Sequence, residues 1–279
     1  MKRKWIVETP GHVYDVEFAG SGLLATTENN LVIIDDTGNA SVLYTHDAPI
    51  YKVRRWKDVL FLAAEDKRLV KLTPESLTSV EVEYGLFALD VKDGKVVAGG
   101  CCGAVYLIEN DRVIKSITVG GHVYDVEWGP YIYVASFDGS LYAFDEELNL
   151  IKRIDLAENV NVVRHCGDRV AVGTFEPGGV FVLDKDLNLI WSRGNYLDVR
   201  MIAWREGCDG LYVGSWDGEF SLYTSGGKEV MKGRGPRGIE SGAWSNGLLA
   251  VGGWGRIELY EEEGNELQES EEALEGDEE

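Results

Sequence analysis

The sequence predicts an all-β fold, a seven-bladed β-propeller with four antiparallel strands in each blade. Two features of the chain lead to this prediction. Residues 11–18, GHVYDVEF, recur as residues 121–128, GHVYDVEW, with seven of the eight positions identical and an aromatic residue at the last position of both. Fainter copies of the pattern fill the rest of the chain at a regular period, and no stretch sustains a helical period.

A small residue near the end of the second strand marks each repeat. Successive markers lie 36 to 41 residues apart, which is the length of a four-stranded propeller blade. Because blades converge on a central channel, a small residue there lets neighbouring sheets approach closely. The seven markers are Ala25, Ala63, Gly99, Ala135, Gly173, Gly214 and Gly252.

The fourth repeat shows the expected strands most clearly. Residues 123–128 alternate in polarity, residues 131–136 are mostly apolar, and segments 140–144 and 150–156 supply the third and fourth strands. Asp138-Gly139 stands between the second and third strands, and Asp-Gly is a strong signal for a tight hairpin turn. Such short strands with frequent turns are typical of a sandwich, barrel or propeller, and the period near 38 selects the propeller.

The two ends of the chain are expected to share the last blade. The seventh repeat offers three strands, near residues 239–244, 248–253 and 257–260, and residues 4–7 directly precede the first repeat. We therefore expect the N-terminal strand to complete the last blade and to remove an open sheet edge. The propeller is predicted to span residues 1–260. Residues 261–279 hold eleven acidic residues and no Lys or Arg, which predicts a disordered acidic tail.

Composition disfavours several classes of partner. The net charge is −21, and residues 1–260 still carry 37 acidic against 27 basic side chains, a net of −10, so binding to phosphate backbones is disfavoured. No run approaches the roughly 20 apolar residues of a membrane span. Only three apolar residues follow the basic start of the chain, which argues against a signal peptide. Four cysteines without CxxC spacing form no disulfide framework and indicate a cytoplasmic setting.

These repeats resemble the WD40-repeat family. That family's unit carries Gly-His before its first strand, Asp in the turn after its second strand, and Trp-Asp at the end of its third. The fourth repeat has Gly121-His122, Asp138 in the turn and Phe144-Asp145 at the end of the third strand. The sixth repeat has Trp216-Asp217 in the turn after its second strand, and the first repeat ends its third strand with Ile34-Asp35. The motifs are degenerate, and no third strand ends in Trp-Asp. The resemblance implies a scaffold that holds peptides or domains of partner proteins on its ring faces.

Aromatic side chains recur in the turn between the second and third strands of four successive repeats. In a propeller these turns lie on one face, beside the loops that lead into the first strands. Exposed Trp, Tyr and Arg dominate interface energies, so this face is predicted to bind a partner, although the rings could instead pack as core between blades. The predicted partner-binding residues are Phe137, Phe175, Trp216, Trp254, Tyr196, Arg200, Arg234 and Arg237.

The fifth position of the first strand changes sign between neighbouring repeats. Glu17 is followed by Arg54 one repeat later, and Glu127 by Arg164. We expect these channel residues to form ion pairs between blades. Such pairs would set blade register more than they stabilise, because desolvation offsets much of the attraction. The alternative is a set of solvated charges.

Three further motifs have simpler structural explanations. Cys101-Cys102 could bind a soft metal or form a redox ring, but adjacent cysteines are more often small buried thiols. His165-Cys166 could pair as base and nucleophile, but His165 aligns with Trp positions of other repeats and is expected in the core. Residues 233–238 match GxGxxG without the strand and helix that a dinucleotide site needs, and are expected to form a loop.

The sequence therefore predicts a protein-binding scaffold of the cytoplasm, with a protein or peptide partner and without a cofactor, a metal or a membrane. No specific catalytic motif is present. Because propellers can build sites from single residues of different blades, an enzyme of hydrolase or lyase type, or a small-molecule binder, is the alternative. It would use polar residues at the channel mouth such as Asp15, Asp125, Asn161, Arg200 and Glu240.

Overall fold

The computed structural model describes residues 1–156 and 159–263, and the greater part of the predicted acidic tail lies outside them. The described residues form 26 strands and two short 3-10 turns, at Cys101–Gly103 and Glu206–Cys208. In chain order the strands are β1 (Lys2–Ala19), β2 (Gly22–Thr27), β3 (Asn30–Ile34), β4 (Ala40–Thr45), β5 (Ile50–Trp56), β6 (Val59–Ala64), β7 (Arg68–Leu72), β8 (Leu77–Glu81), β9 (Leu86–Lys92), β10 (Lys95–Gly100), β11 (Ala104–Glu109), β12 (Arg112–Thr118), β13 (Val123–Trp128), β14 (Ile132–Ser136), β15 (Ser140–Phe144), β16 (Leu150–Asp155), β17 (Val160–Cys166), β18 (Arg169–Thr174), β19 (Gly178–Asp184), β20 (Leu189–Tyr196), β21 (Val199–Trp204), β22 (Gly210–Ser215), β23 (Glu219–Thr224), β24 (Glu229–Arg234), β25 (Ser241–Ser245) and β26 (Leu248–Glu261).

Hydrogen bonding joins the described strands into six sheets, so the prediction of seven blades is wrong. Five sheets have four antiparallel strands each, formed by β5–β8, β9–β12, β13–β16, β17–β20 and β21–β24. The sixth sheet has six strands in the order β25-β26-β1-β2-β3-β4. The first and seventh sequence repeats therefore share one continuous sheet, and counting each sheet as one blade gives six.

The two repeats merge because β1 and β26 continue through the boundary between them. The first half of β1 pairs with β26, with Lys2 opposite Glu261 and Val7 opposite Ile257. Its second half pairs with β2, with Val16 opposite Ala25. Residues 9–11 pair with neither strand, but β1 stays extended through them and joins the two ladders into one sheet. The two ends of the described chain are thereby held in one sheet.

A ring of inner strands surrounds the central channel. It consists of the first strand of every repeat, namely β1, β5, β9, β13, β17, β21 and β25, each in contact with the next, and β25 touches β1. Hydrophobic clusters fill the spaces between neighbouring sheets. One of them joins Val97 and Val105 to Val126 and Val134 of the following sheet.

The small-residue markers lie where neighbouring sheets approach most closely. A Cβ atom at Gly99 would stand 2.2 Å from Val123 Cγ1, and one at Gly173 would stand 2.5 Å from Val199 Cγ1. Both valines belong to the next inner strand. Any side chain at these positions would therefore push two sheets apart.

An Asp followed four residues later by Asn closes the turn between the third and fourth strands of three repeats. The Asn backbone N–H donates to Oδ1 of Asp35, Asp145 or Asp184 at 2.7 to 2.8 Å, and the Asn side chain donates to Oδ2. These Asp residues stand where the WD40 unit has the Asp of Trp-Asp. Here that Asp orders a turn through local hydrogen bonds.

Candidate functional site

One residue from each sequence repeat lines one end of the channel, which is called the upper mouth. It opens into a cavity of about 440 Å³. Lys52, Asp125, Phe137, Val162 and Phe175 also line this cavity. The seven residues, which occupy equivalent positions of the seven sequence repeats, are Tyr14, Tyr51, Phe87, Tyr124, Asn161, Arg200 and Glu240.

Aromatic rings follow one another around this mouth at contact distance. Ring pairs with centroids about 4.5–7 Å apart attract each other beyond simple burial. The centroid distances are 4.8 Å for Tyr14–Tyr51, 5.3 Å for Tyr51–Phe87, 5.8 Å for Phe87–Tyr124, 5.4 Å for Tyr124–Phe137 and 6.1 Å for Phe137–Phe175.

Arg200 bridges the one gap in the series. Its guanidinium carbon lies 5.9 Å from the ring of Phe175 and 4.6 Å from that of Trp216, which are cation–π distances. From there the contacts return to the start, at 5.3 Å for Trp216–Trp254, 5.0 Å for Trp254–His12 and 5.8 Å for His12–Tyr14. We call these nine rings together with Arg200 the aromatic circuit.

Acidic groups hold Arg200 in position. Its Nε donates to Asp198 Oδ2 at 2.5 Å and its Nη1 to Glu240 Oε2 at 2.8 Å. Asn161 Nδ2 donates to the other oxygen of Asp198 at 2.6 Å. Burial raises the pKa of Glu240, although Arg200 opposes the rise. The polar residues of the upper mouth are thus engaged largely with one another.

The aromatic circuit is partly open to solvent. Trp254 is 44% exposed and Tyr124 is 39% exposed, while Phe137, Phe175 and Trp216 are half-buried. These rings therefore do not belong to the closed core between sheets. The exposed Arg237 lies over Trp254, with its guanidinium carbon 5.8 Å from the ring centroid.

Two of the predicted partner-binding residues lie away from the mouth. Tyr196 packs against the core between two sheets and hydrogen-bonds Tyr223 through the phenol oxygens. Arg234 is on the outermost strand of its sheet, β24, where its side chain is 70% exposed and pairs with Glu219 at 3.2 Å. Both precede an inner strand in sequence, but they end outer strands rather than face the channel.

The sequence-based site missed half of the circuit. Tyr14, Tyr51, Phe87 and Tyr124 contribute four consecutive rings that were not among the predicted partner-binding residues. The signal was available, because an aromatic residue occupies the same position of the first strand in the first four repeats. His12 was also absent from the predicted partner-binding residues, although the repeated Gly-His pair marks it in the sequence.

Two aspartates of the duplicated segment make the same buried contacts in the channel interior. Asp15 Oδ2 accepts the Val53 N–H at 3.1 Å and Arg54 Nη1 at 2.7 Å. One half-ring away, Asp125 Oδ2 accepts the Val163 N–H at 3.1 Å and a hydrogen bond from Arg164 Nη1. Both aspartates are almost completely buried.

Lys52 spans the space between those two aspartates. Its Nζ lies 3.4 Å from Asp15 Oδ1 and 3.3 Å from Asp125 Oδ1. Burial alone would raise the pKa of Asp125, but Arg164, Lys52 and Arg54 together hold it below its usual range. Lys52 is therefore shared by two buried carboxylates from opposite parts of the ring, each of which also pairs with an arginine, Arg54 or Arg164.

The fifth-position residues line the other end of the channel, called the lower mouth, around a cavity of about 330 Å³. Arg164 Nη1 lies 3.8 Å from Glu127 Oε2. The expected pair of Arg54 with Glu17 does not form within the described chain. Arg54 contacts Asp15 at 2.7 Å and Asp90 at 3.7 Å instead.

Two carboxyl groups of the lower mouth, those of Glu17 and Asp90, have raised pKa values. Burial raises the pKa of Glu17 to about 7, with Arg54 opposing and Asp15 adding to the rise. Burial and the nearby Glu127 also raise the pKa of Asp90. One oxygen of Glu17, Oε2, is buried and accepts no hydrogen bond from the described residues.

His165 and Cys166 do not form a catalytic pair. His165 is half-buried beside the lower mouth rather than in the core, and its Nδ1 lies 3.0 Å from Glu127 Oε1. That hydrogen bond raises the pKa of His165 against the effect of burial. Cys166 forms a disulfide with Cys208 of the next sheet, so its sulfur is not a free nucleophile. The sequence, where the two lie 42 residues apart, did not indicate this pairing.

The adjacent cysteines are not the small buried thiols that were expected. Cys102 is exposed and Cys101 is half-buried, because the chain leaves β10 through a tight turn on the upper face.

Within the described residues, no group of three or more His, Cys, Asp or Glu side chains is placed to hold a metal ion. The part of the chain described also contains no helix long and apolar enough to cross a bilayer.

The GxGxxG match forms a loop between two strands. It begins at the end of β24 and leads into β25, with no helix after it. Gly235 N–H donates to Gly218 O and Gly238 N–H to Trp216 O, both at 2.9 Å. The loop thus supports the turn that carries Trp216.

Comparison with solved structures identifies the type of propeller. The chain is similar to a chain in the crystal structure of the mitotic checkpoint complex, with a TM-score of 0.84 and 13% identity over 94% of this chain and 92% of that one. It is also similar to the WD40 β-propeller domain of Doa1, with a TM-score of 0.84 and 14% identity over 95% and 98%. No family model and no curated protein sequence matches the chain.

The protein is therefore a WD40-like β-propeller in its fold, as the repeats suggested. At this level of identity the likeness concerns the fold alone.

Proposed function

We propose that this protein is a scaffold that binds a protein or peptide partner at its upper mouth. The observation that carries the proposal is the aromatic circuit, an unbroken ring of side-chain contacts around an open cavity. Large rings that are partly exposed and side by side are the surfaces that give most of the energy of protein interfaces. One of the two similar structures is a component of a multiprotein complex by its title, which is consistent with such a role.

The circuit is also preorganised for binding. Each ring touches two neighbours, so little side-chain entropy remains to be lost when a partner packs against it. Arg200 is fixed by two carboxylates and by two rings. A segment of a partner could therefore lie across the mouth and place one side chain into the cavity.

The contacts made by the polar residues that were considered for an enzyme or small-molecule site favour a scaffold over either alternative. Asp15 and Asp125 are buried in ion pairs with Lys52, Arg54 and Arg164. Arg200 and Glu240 bind each other. These groups stabilise the channel and present few unengaged polar atoms to a substrate.

A double substitution, Trp216→Ala with Trp254→Ala, tests the proposal. The immobilised full chain would be used to capture proteins from cells of the native organism, with chemical cross-linking to locate the contact, and the purified partner would then be titrated by calorimetry. Truncation of a central interface residue costs about 2 kcal/mol, or roughly 30-fold in affinity. We expect the double variant to lose the partner while melting within a few degrees of the unmodified chain.

Trp56→Ala provides the matched control, because Trp56 is a partly buried tryptophan at the far end of the inner strand β5. Its loss should leave capture unchanged. Equal capture by the double variant, or turnover of a metabolite by the purified chain without a partner, would overturn the proposal.

The cytoplasmic location also stays a prediction. Disulfides are rare in the cytosol outside hyperthermophiles, so the Cys166–Cys208 bond makes the compartment directly testable. In a reducing cytoplasm, alkylation of the chain in intact cells would modify the thiols of Cys166 and Cys208. Resistance of both cysteines to alkylation would show that the compartment permits the disulfide.

A further inference from the structure

Cys101 and Cys102 occupy the place of an aromatic residue on the upper face. In other repeats the residue that follows the second strand donates its backbone N–H to the loop before the inner strand, as Phe137 does to His122 O at 2.8 Å. Cys101 makes the same bond to Gly85 O at 2.9 Å. The cysteine pair therefore lies on the same rim as the rings of the circuit.

The backbone brings the two thiols together. Cys102 has a φ of +61°, a left-handed conformation that a non-glycine residue seldom adopts. In this turn the two Sγ atoms lie 3.1 Å apart, about 1 Å more than the length of a disulfide bond. Cys102 faces solvent, whereas Cys101 is half-buried.

We propose that Cys101 and Cys102 form a reversible modification site that exchanges with external disulfides, such as oxidised glutathione, and closes into a vicinal disulfide on the partner-binding face. The thiolate of Cys102 attacks one sulfur of the external disulfide, whose S–S bond breaks and releases one thiol. The thiolate of Cys101 then attacks the Cys102 sulfur and displaces the second thiol. The protein loses two protons and two electrons, and the external disulfide becomes two thiols.

The exposed thiol is suited to the first step and its neighbour to the second. Exchange requires access to the attacking sulfur, which Cys102 has. The hydrogen bond with Cys102 and partial burial raise the pKa of Cys101, so Cys101 reacts poorly with external reagents. Its position 3.1 Å from Cys102 Sγ makes it effective once the mixed disulfide has formed.

The closed ring is expected to be reduced easily. The Cα atoms of adjacent residues are about 3.8 Å apart, whereas disulfides favour about 4.4–6.8 Å. A strained disulfide has a more oxidising potential and is typical of labile rather than structural bonds. The site should therefore respond to conditions under which Cys166–Cys208 stays closed.

Closure of the Cys101–Cys102 disulfide is expected to affect the aromatic circuit. The Cys102 N–H donates to His122 Nδ1 at 3.0 Å, and the His122 ring lies 6.2 Å from Phe87 and 6.3 Å from Tyr124. A change at Cys102 is thus transmitted through the His122 side chain to the rings of Phe87 and Tyr124. This consequence rests on the proposed function, whereas the exchange chemistry does not.

The test is a redox titration of the full-length chain. The protein is equilibrated in mixtures of reduced and oxidised glutathione, free thiols are trapped with iodoacetamide, and tryptic peptides are weighed. Cleavage after Lys95 and Arg112 places Cys101 and Cys102 in a single peptide, while Cys166 and Cys208 fall in two others. We expect the single peptide to lose two hydrogens progressively as the oxidised share rises, while the Cys166–Cys208 bond remains intact.

Cys101→Ser is the informative variant. It keeps the accessible thiol but lacks the resolving one, so it should accumulate a glutathione adduct on Cys102 that the unmodified chain does not retain. Full alkylation of both thiols in excess oxidised glutathione, or two stable glutathione adducts on the unmodified chain, would overturn the site. Closure of the bond without any change in partner capture would overturn its link to the circuit and leave the exchange chemistry standing.

Discussion

Replacing Glu17 with Gln is expected to remove much of the pH dependence of stability that originates at the lower mouth. Glu17 is mostly buried beside the channel, where Oε1 accepts the Arg55 N–H at 3.3 Å and the buried Oε2 accepts no hydrogen bond from the described residues. Burial raises its pKa from the usual 4.5 to about 7. The neutral acid is therefore the form that the folded protein favours.

The sign and size of the effect follow from that difference. Between pH 4.5 and about 7 the folded protein keeps the proton of Glu17 while the unfolded chain has lost it. The free energy of unfolding then falls as the pH rises. At about 1.4 kcal/mol for each pH unit of difference, the loss by pH 8 approaches about 3 kcal/mol as an upper bound.

Neighbouring groups act in the same direction. Burial and Glu127 raise the pKa of Asp90, so Asp90 too costs stability when the pH rises. The hydrogen bond to Glu127 raises the pKa of His165, so the stability from that pair is complete below the unfolded pKa and disappears as the pH rises through the folded one. Glu17, Asp90 and His165 therefore all make the protein more stable under mildly acidic conditions.

Urea unfolding at pH 5, 6, 7 and 8 measures the effect. We expect the unmodified chain to lose stability from pH 5 to pH 8, and Glu17→Gln to lose about 2–3 kcal/mol less over that range. The exposed Glu8→Gln serves as the control and should follow the unmodified chain. A Glu17→Gln variant with an unchanged pH profile, or an unmodified chain that gains stability towards pH 8, would refute the reasoning.

Two further substitutions test the packing and the channel. Gly173→Ala should lower the free energy of unfolding by about 1–3 kcal/mol, because its Cβ would lie 2.5 Å from Val199 Cγ1. Gly226→Ala is the control and should change the free energy of unfolding little, because a Cβ there would have only one atom nearby, at 3.9 Å. Equal effects of the two substitutions in urea unfolding would contradict the sheet contact. Lys52→Met should lower the free energy of unfolding by about 3–5 kcal/mol at pH 7, because two buried carboxylates lose the cation that they share. A stability of Lys52→Met equal to that of the unmodified chain at pH 7 would exclude the ion pairs.

The sequence by itself determined the local structure. Alternation of polar and apolar residues, the Asp-Gly turn and the 38-residue period depend on neighbours in the chain, so they indicated short strands, a propeller and the small residues between sheets. The same period aligned equivalent positions, and in the structure one such column lines the upper mouth and another the lower mouth.

Tertiary structure alone decided which strands share a sheet and which side chains meet. The sheet count was wrong because β1 continues across a repeat boundary and pairs first with β26 and then with β2, and a sequence period does not show whether a strand continues from one repeat into the next. Arg54 binds Asp15 instead of Glu17, and Cys166 joins Cys208, through contacts made across sheets. Such contacts depend on how neighbouring sheets pack, because residues about 40 positions apart come within reach only when the two sheets lie side by side.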